Sequence, residues 1–232
     1  MSRIEWIIKA KIAEQAQLFN NMYTAMKLVV EAGGTLSNDE RNLLSLAYKH
    51  IVGARRLSWR IISSIEQNPE TQNENKLNIL RNYREKIEAE IEEKCLEVIG
   101  LLDSILLPAA PNIESQVFYN KMKGDYYRYM AEINSVPEKR KKIVSAANKA
   151  YNAGLKIATN SMAPVNPLLL GTTLNYSVFL YEIKCSNRKA INLAKTAFDE
   201  ALAQVELLRQ SEYKDSALIM QLLQDNLEIW TT

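Results

Sequence analysis

Apolar residues recur every three or four positions along almost the whole chain, and no stretch sustains the strict alternation of a strand. This periodicity is what most narrows the fold, because each segment can then bury one stripe only as a helix. Glycine and proline number 7 and 6 among 232 residues, too few for a turn-rich β protein. The breaks are short and carry helix punctuation. Gly33 and Gly34 precede Ser37-Asn38-Asp39-Glu40, where serine can cap the backbone and glutamate can reach back to it. From there the pattern runs to about Gln67, and 69–75 reads as a polar loop. The next helix spans 76–107 and is closed by Pro108 and Pro111. Asn112 caps a helix over about 113–135, and Ser135 with Glu138 signals one running to about Asn160. Asn166-Pro167 puts a cap before a first-turn proline, starting a helix to about Lys184. Ser186 or Asn187 starts another to about Leu208, and Ser211 starts the last, which ends at Trp230. Residues 1–33 hold two helices hinged at Asn20-Asn21. The expectation is an all-α fold of about nine antiparallel helices with short connections, in one domain over 1–232.

Several function classes fall away on composition. The net charge is +2 with no long basic tract, so no nucleic-acid partner is indicated. Apolar runs are broken by charge within a dozen residues, so no membrane insertion is expected. The start, with Lys9, Lys11 and Glu14, does not read as a secretory signal. Cys95 and Cys185 are far apart and give neither a disulfide framework nor metal-ligand spacing, which favours a reducing, cytoplasmic setting, nuclear presence being left open. His50 is the one histidine, leaving little scope for histidine catalysis. The Gly33-Gly34 pair lacks the lysine and the preceding strand of a phosphate-cradling loop. No catalytic residue, metal or cofactor is expected, and the chain does not read as an enzyme.

Two pairs of cations remain. Lys49 and Arg56 are seven residues apart, two helical turns, and so share a face; Lys121 and Arg128 have the same spacing, with Tyr129 adjacent. Fixed positive charge beside a tyrosine hydroxyl suits a doubly charged phosphate monoester. Taken on spacing alone, the same residues read more readily as solvated helix faces. A row at four-residue steps, Leu218, Leu222, Asn226 and Trp230 with Ile219 beside it, and a second row of Leu174 and Val178, could be core or groove wall. Asn226 within the first row favours a groove, since a core tolerates an amide less well.

The residues between 37 and 67, with Ser58-Trp59-Arg60 and Ser63-Ser64-Ile65-Glu66-Gln67, resemble the third helix of the 14-3-3 family of phosphoserine/phosphothreonine-binding adaptors. Val117-Phe118-Tyr119-Asn120-Lys121-Met122-Lys123-Gly124-Asp125-Tyr126-Tyr127-Arg128-Tyr129 resembles its fifth, Leu174-Asn175-Tyr176-Ser177-Val178-Phe179 its seventh, and Leu193 to Ala201 its eighth. The resemblance covers essentially the whole chain. It implies a bundle with a concave amphipathic groove, formed by 37–230, that binds phosphorylated client proteins. The phosphate-holding positions are then Lys49, Arg56, Arg128 and Tyr129. The peptide-binding positions are Lys121, Asp125, Leu174, Asn175, Val178, Glu182, Leu218, Ile219, Leu222, Asn226 and Trp230, with Asn175 and Asn226 hydrogen-bonding the client backbone and Asp125 and Glu182 orienting the basic side chains. The rival is a helical scaffold binding unphosphorylated peptides or helices; the joint presence of the four phosphate-holding residues argues against it.

The resemblance further implies a homodimer, with pairing to paralogues left open, in which residues 1–33 meet the third and fourth helices of the partner. Ile12, Ala13, Ala16, Leu18 and Asn21 fall on one side of that contact, and Ser58, Ile62, Ile65, Tyr83, Lys86 and Glu90 on the other. Family members often carry charges where this chain has Leu18 and Asn21, so opposite partners for Glu90 and Lys86 are missing, a change expected to act on partner choice. Ser58 follows Arg55 and Arg56, a pattern basophilic kinases accept; a phosphate there would oppose pairing, whereas an unmodified serine would simply permit close helix contact.

Overall fold

The computed structural model describes residues 2–68, 73–204 and 210–231, the side chains of 210–213 excepted. Among the described residues there are nine α-helices and no strand: α1 (Arg3–Gln15), α2 (Phe19–Glu31), α3 (Asn38–Gln67), α4 (Glu74–Leu101), α5 (Ile113–Ile133), α6 (Pro137–Ser161), α7 (Pro167–Val178), α8 (Asn187–Leu202) and α9 (Gln210–Thr231). They group into two compact units, residues 1–109 and 110–232.

The caps explain most boundaries. Ser37 Oγ accepts from the Glu40 N–H at 3.2 Å, while the Glu40 carboxylate accepts from Ser37 N–H at 3.1 Å, so both ends of the capping box are closed. Asn112 accepts from Ser115 N–H at 2.8 Å and starts α5; Asn166 accepts from Leu168 N–H at 2.9 Å and starts α7 with Pro167 in its first turn. Two expected boundaries move. The first hinge lies at Ala16–Leu18 rather than Asn20-Asn21, with Gln17 in the left-handed region at φ 56. Asn20 and Asn21 are inside α2. Ser135 does not cap α6: Val136 holds that position with no side-chain bond, and Pro137 supplies the start. The expected end of the eighth helix at Leu208, part of the loop expected over 69–75, and the side chain of Ser211 lie outside the described residues; α8 itself ends at Leu202.

Two expected helices change character before they end. After α4 the chain continues as a π-turn, Leu102–Leu106, in which Leu107 N–H donates to the Leu102 carbonyl five residues back. After α7 a second π-turn, Phe179–Ile183, closes with Lys184 N–H on the Phe179 carbonyl. Each wider turn rotates the residues after it out of the helical register before it. Glu182 therefore does not continue the face set by Leu174 and Val178.

In the first unit α2, α3 and α4 bury Met22, Met26, Val29, Leu44, Tyr48, Ile91, Cys95 and Val98. In the second, Leu170, Ala194, Ala201, Met220 and Leu223 from α7, α8 and α9 form one cluster, and α5 packs along α6 around Tyr119 and Tyr151. Among the described residues no helix is long and apolar enough to cross a membrane.

Candidate functional site

On α5, Lys121, Asp125 and Arg128 stand at successive turns of one face, which is why their side chains can meet. The Asp125 carboxylate is buried and accepts from Lys121 Nζ at 2.9 Å and from Arg128 Nη2 at 3.3 Å. Tyr151 from α6 donates its hydroxyl proton to the same carboxylate, and Asn175 from α7 donates its amide at 2.8 and 3.0 Å. Burial would raise the Asp125 pKa; Lys121, Arg128 and the Tyr151 hydroxyl outweigh it and hold the group below its ordinary value. Burial likewise works against the Arg128 charge, but the neighbouring Tyr151 and Asp125 hold its pKa well above the ordinary value. Two cations thus share one carboxylate, leaving the cluster one positive charge in excess. The Arg128 guanidinium also lies over the Tyr129 ring at 4.8 Å.

The apolar rows stand near this charge on the second unit. A Cβ at Gly171 of α7 would be 3.8 Å from Lys121 Cε and 3.9 Å from Ile219 Cδ1, so the lysine stem and α9 both lie within contact distance of that position. Leu218 and Leu222 are 65% and 44% exposed, whereas the adjacent Leu223 is fully buried. The row of Leu218 and Leu222 is therefore a surface and not a core, while Leu174, Ile219 and Trp230 are half-buried against the α7–α9 cluster. Trp230 stacks on Tyr181 at 4.5 Å. Asn226 and Val178 are half-buried and Glu182 is exposed in the π-turn. The Asn175 N–H donors are taken by Asp125, which leaves its carbonyl oxygen as the group on offer to a client backbone.

In the first unit Lys49 is exposed and lines a 610 Å³ cavity with Asn42, Ser45 and Leu46 of α3 and Lys11 and Glu14 of α1. Arg56 is half-buried two turns further along α3, close enough to Cys95 for its charge to act on the thiol. Burial nevertheless pushes Cys95 up to about 12, so it is an inert core thiol.

The positions expected at the dimer contact also lie in this unit. Ile12, Leu18 and Asn21 are exposed and line, with Trp6, a 440 Å³ cleft between α1 and α2. Ala16 is exposed at the end of α1; Ala13 is largely buried but lines the same cleft. Ile65 and Tyr83 are exposed, as are Ser58, Lys86 and Glu90, while Ile62 is half-buried. Glu90 already pairs with Arg55 of its own protomer at 3.2 Å, so it does not depend on a partner's cation. The Ser58 hydroxyl donates to the Ala54 carbonyl at 3.1 Å. Ile4 and Ile8, which the sequence reading does not single out, extend the Ile12 stripe at four-residue spacing and are both exposed. Their spacing was legible, but three isoleucines on a helix suggest core until the helix is seen to turn them outward.

An all-helical chain that offers excess cationic charge beside an exposed apolar row is a binding protein for anionic, partly apolar segments. Comparison with known proteins gives the family. The description that matches is 14-3-3 protein, over residues 9–231. The 14-3-3 protein beta/alpha of Gallus gallus and that of Homo sapiens are each 54% identical over 232 residues, all of this chain and 94% of the relative. The 14-3-3 protein beta/alpha-1 of Oncorhynchus mykiss is 53% identical with the same coverage. The chain belongs to the 14-3-3 family. It is a non-enzymatic adaptor for phosphoserine and phosphothreonine segments of client proteins, in a family that forms homo- and heterodimers.

Proposed function

We propose that phosphorylated clients are bound through Lys49, Arg56, Arg128 and Tyr129, with Lys121, Asn175, Asn226 and the Leu218–Leu222 row taking the flanking peptide. The observation that carries this is the excess charge of the Asp125 cluster: a buried carboxylate holds Arg128 in place without neutralising both of its cations. A phosphate monoester brings about two negative charges and three acceptor oxygens, which complement that excess. In the same reading Ile12, Ala13, Ala16, Leu18 and Asn21 meet Ser58, Ile62, Ile65, Tyr83, Lys86 and Glu90 of a second protomer, Asp125 and Glu182 orient neighbouring side chains, and residues 1–232 act as one module in the cytoplasm. The two cysteines, both free, suit such a reducing compartment.

The test is titration of one peptide in phosphorylated and unphosphorylated forms against wild type, Lys49→Glu and Leu222→Asp. Lys49→Glu should weaken the phosphopeptide at least roughly a hundredfold, about 2.7 kcal/mol. Leu222→Asp should lose binding with its melting temperature unchanged, because the side chain is 44% exposed. Equal affinity of both peptide forms for wild type would instead support a scaffold that ignores phosphate.

A further inference from the structure

Tyr151 is the member of the Asp125 cluster that carries no mark in the sequence, and it touches both sides of the ion pair. Its hydroxyl accepts from Arg128 Nε at 3.1 Å and donates to Asp125 Oδ1. Asp125 itself reaches the guanidinium through one bond of 3.3 Å to Nη2. One long bond leaves a planar guanidinium free to swing, whereas a second partner at Nε fixes its plane. With those two N–H groups engaged, three of the five guanidinium donors remain for an oxyanion.

The ring is placed as narrowly as the hydroxyl. Tyr151 is fully buried, stacked on Tyr176 at 5.4 Å and tilted against Phe179 at 5.5 Å. On its other side is Gly124, one residue before Asp125. A Cβ there would stand 2.7 Å from two atoms of the Tyr151 ring, so any side chain at 124 would displace it. Gly124 is therefore the position that lets the ring lie against the α5 backbone with its hydroxyl at Arg128. Burial pushes the Tyr151 hydroxyl well above its ordinary pKa, so it keeps its proton and can donate to Asp125 while accepting from Arg128.

We propose that Tyr151 is a positioning residue for phosphate recognition: it fixes the Arg128 guanidinium so that its free edge meets the phosphate, and Gly124 makes that placement sterically possible. This rests on the assignment of Arg128 to the phosphate. A ring that merely fills space would contribute to stability alone, so the two roles separate experimentally.

The full chain is titrated with a phosphoserine peptide as wild type, Arg128→Ala, Tyr151→Phe, Gly124→Ala and Tyr176→Phe, with melting temperatures recorded alongside. Tyr176 packs on the same ring, but its hydroxyl donates to Asn148, outside the cluster, so it serves as the packing control. Tyr151→Phe keeps the ring and should lower affinity roughly tenfold. Gly124→Ala should lower it at least as much, and the double variant should add nothing to the larger single loss. Tyr176→Phe should stay within about twofold. The Arg128 Nε–H resonance, sharp in wild type, should broaden by solvent exchange in Tyr151→Phe. Wild-type affinity for Tyr151→Phe, or an equal loss for Tyr176→Phe, overturns the positioning role even if Gly124→Ala fails to fold. Wild-type affinity for Arg128→Ala overturns the phosphate assignment and this inference with it, whereas loss in Arg128→Ala with none in Tyr151→Phe defeats this inference alone.

Discussion

The two units each contain a shielded carboxylate ringed by lysine and tyrosine, and only one of them is left with charge to offer. In the first unit Glu97 accepts from Tyr23 at 2.6 Å, Tyr48 at 2.7 Å and Lys27 at 2.7 Å, tying α2, α3 and α4 together. Lys27 also lies 3.9 Å from the Glu31 carboxylate, so the cation there meets two carboxylates, and Lys94, which touches Tyr23, has Glu93 as its own partner at 2.8 Å. That cluster has no cation in excess. In the second unit Asp125 faces both Lys121 and Arg128. On the proposed reading the same ingredients make a brace in one place and an anion receptor in the other, and the difference is the cation in excess at Asp125. Stability and binding should therefore separate between the clusters.

The largest effect is expected at Asp125. Replacing it with alanine leaves Lys121 and Arg128 beside each other with no counter-charge, a loss of about 3–5 kcal/mol where a buried pair is broken. Thermal melting should show it, and phosphopeptide binding should weaken as well because Arg128 loses an anchor. A variant that melts and binds like wild type would mean that the cluster is not coupled to the site. Glu97→Gln should cost less, about 1–3 kcal/mol, since the amide keeps one acceptor for a tyrosine while the charge-assisted bond to Lys27 weakens. Its phosphopeptide Kd should stay within about twofold of wild type. A tenfold change in Kd would break the division between brace and receptor.

A smaller effect is expected in acid. The Glu97 pKa would be raised by burial, but hydrogen bonds from Lys27, Tyr23 and Tyr48 hold it below 4.5; Asp125 is held below 3.8. A lowered folded-state pKa means stability that is present above the ordinary value and lost as pH falls through the folded one. Chemical denaturation should therefore show stability falling below pH 4.5, with a shallower slope in Glu97→Gln by up to about one proton. Identical slopes would remove Glu97 from the acid response.

How much was legible beforehand depended on how far apart in sequence the interacting groups lie. Ser37 with Glu40, and Asn166 with Pro167, are neighbours, so their caps could be read directly. The α5 face was legible for the same reason, because Lys121, Asp125 and Arg128 are spaced by helical turns. Tyr151 is 26 residues from Asp125 and belongs to another helix, and no spacing rule connects them. The outward turn of Leu218 and Leu222, one step from the buried Leu223, could not be read from spacing, since a row of leucines looks alike in core and groove; Asn226 in the row and the family resemblance were the signals for a groove.

By itself the sequence determined the helices and the faces within each one, because periodicity and capping act over three or four residues. It also determined, through extended similarity in several segments, the family to which the chain belongs. Tertiary structure alone decided which carboxylate is balanced and which is not, since a charge is compensated by whatever packing brings within a few ångströms. It decided that Ala10 is fully buried while Ile4 and Ile8 stay outside. It also decided that a glycine on α5 and a tyrosine on α6 stand together at Arg128, a contact between helices that short-range periodicity does not encode.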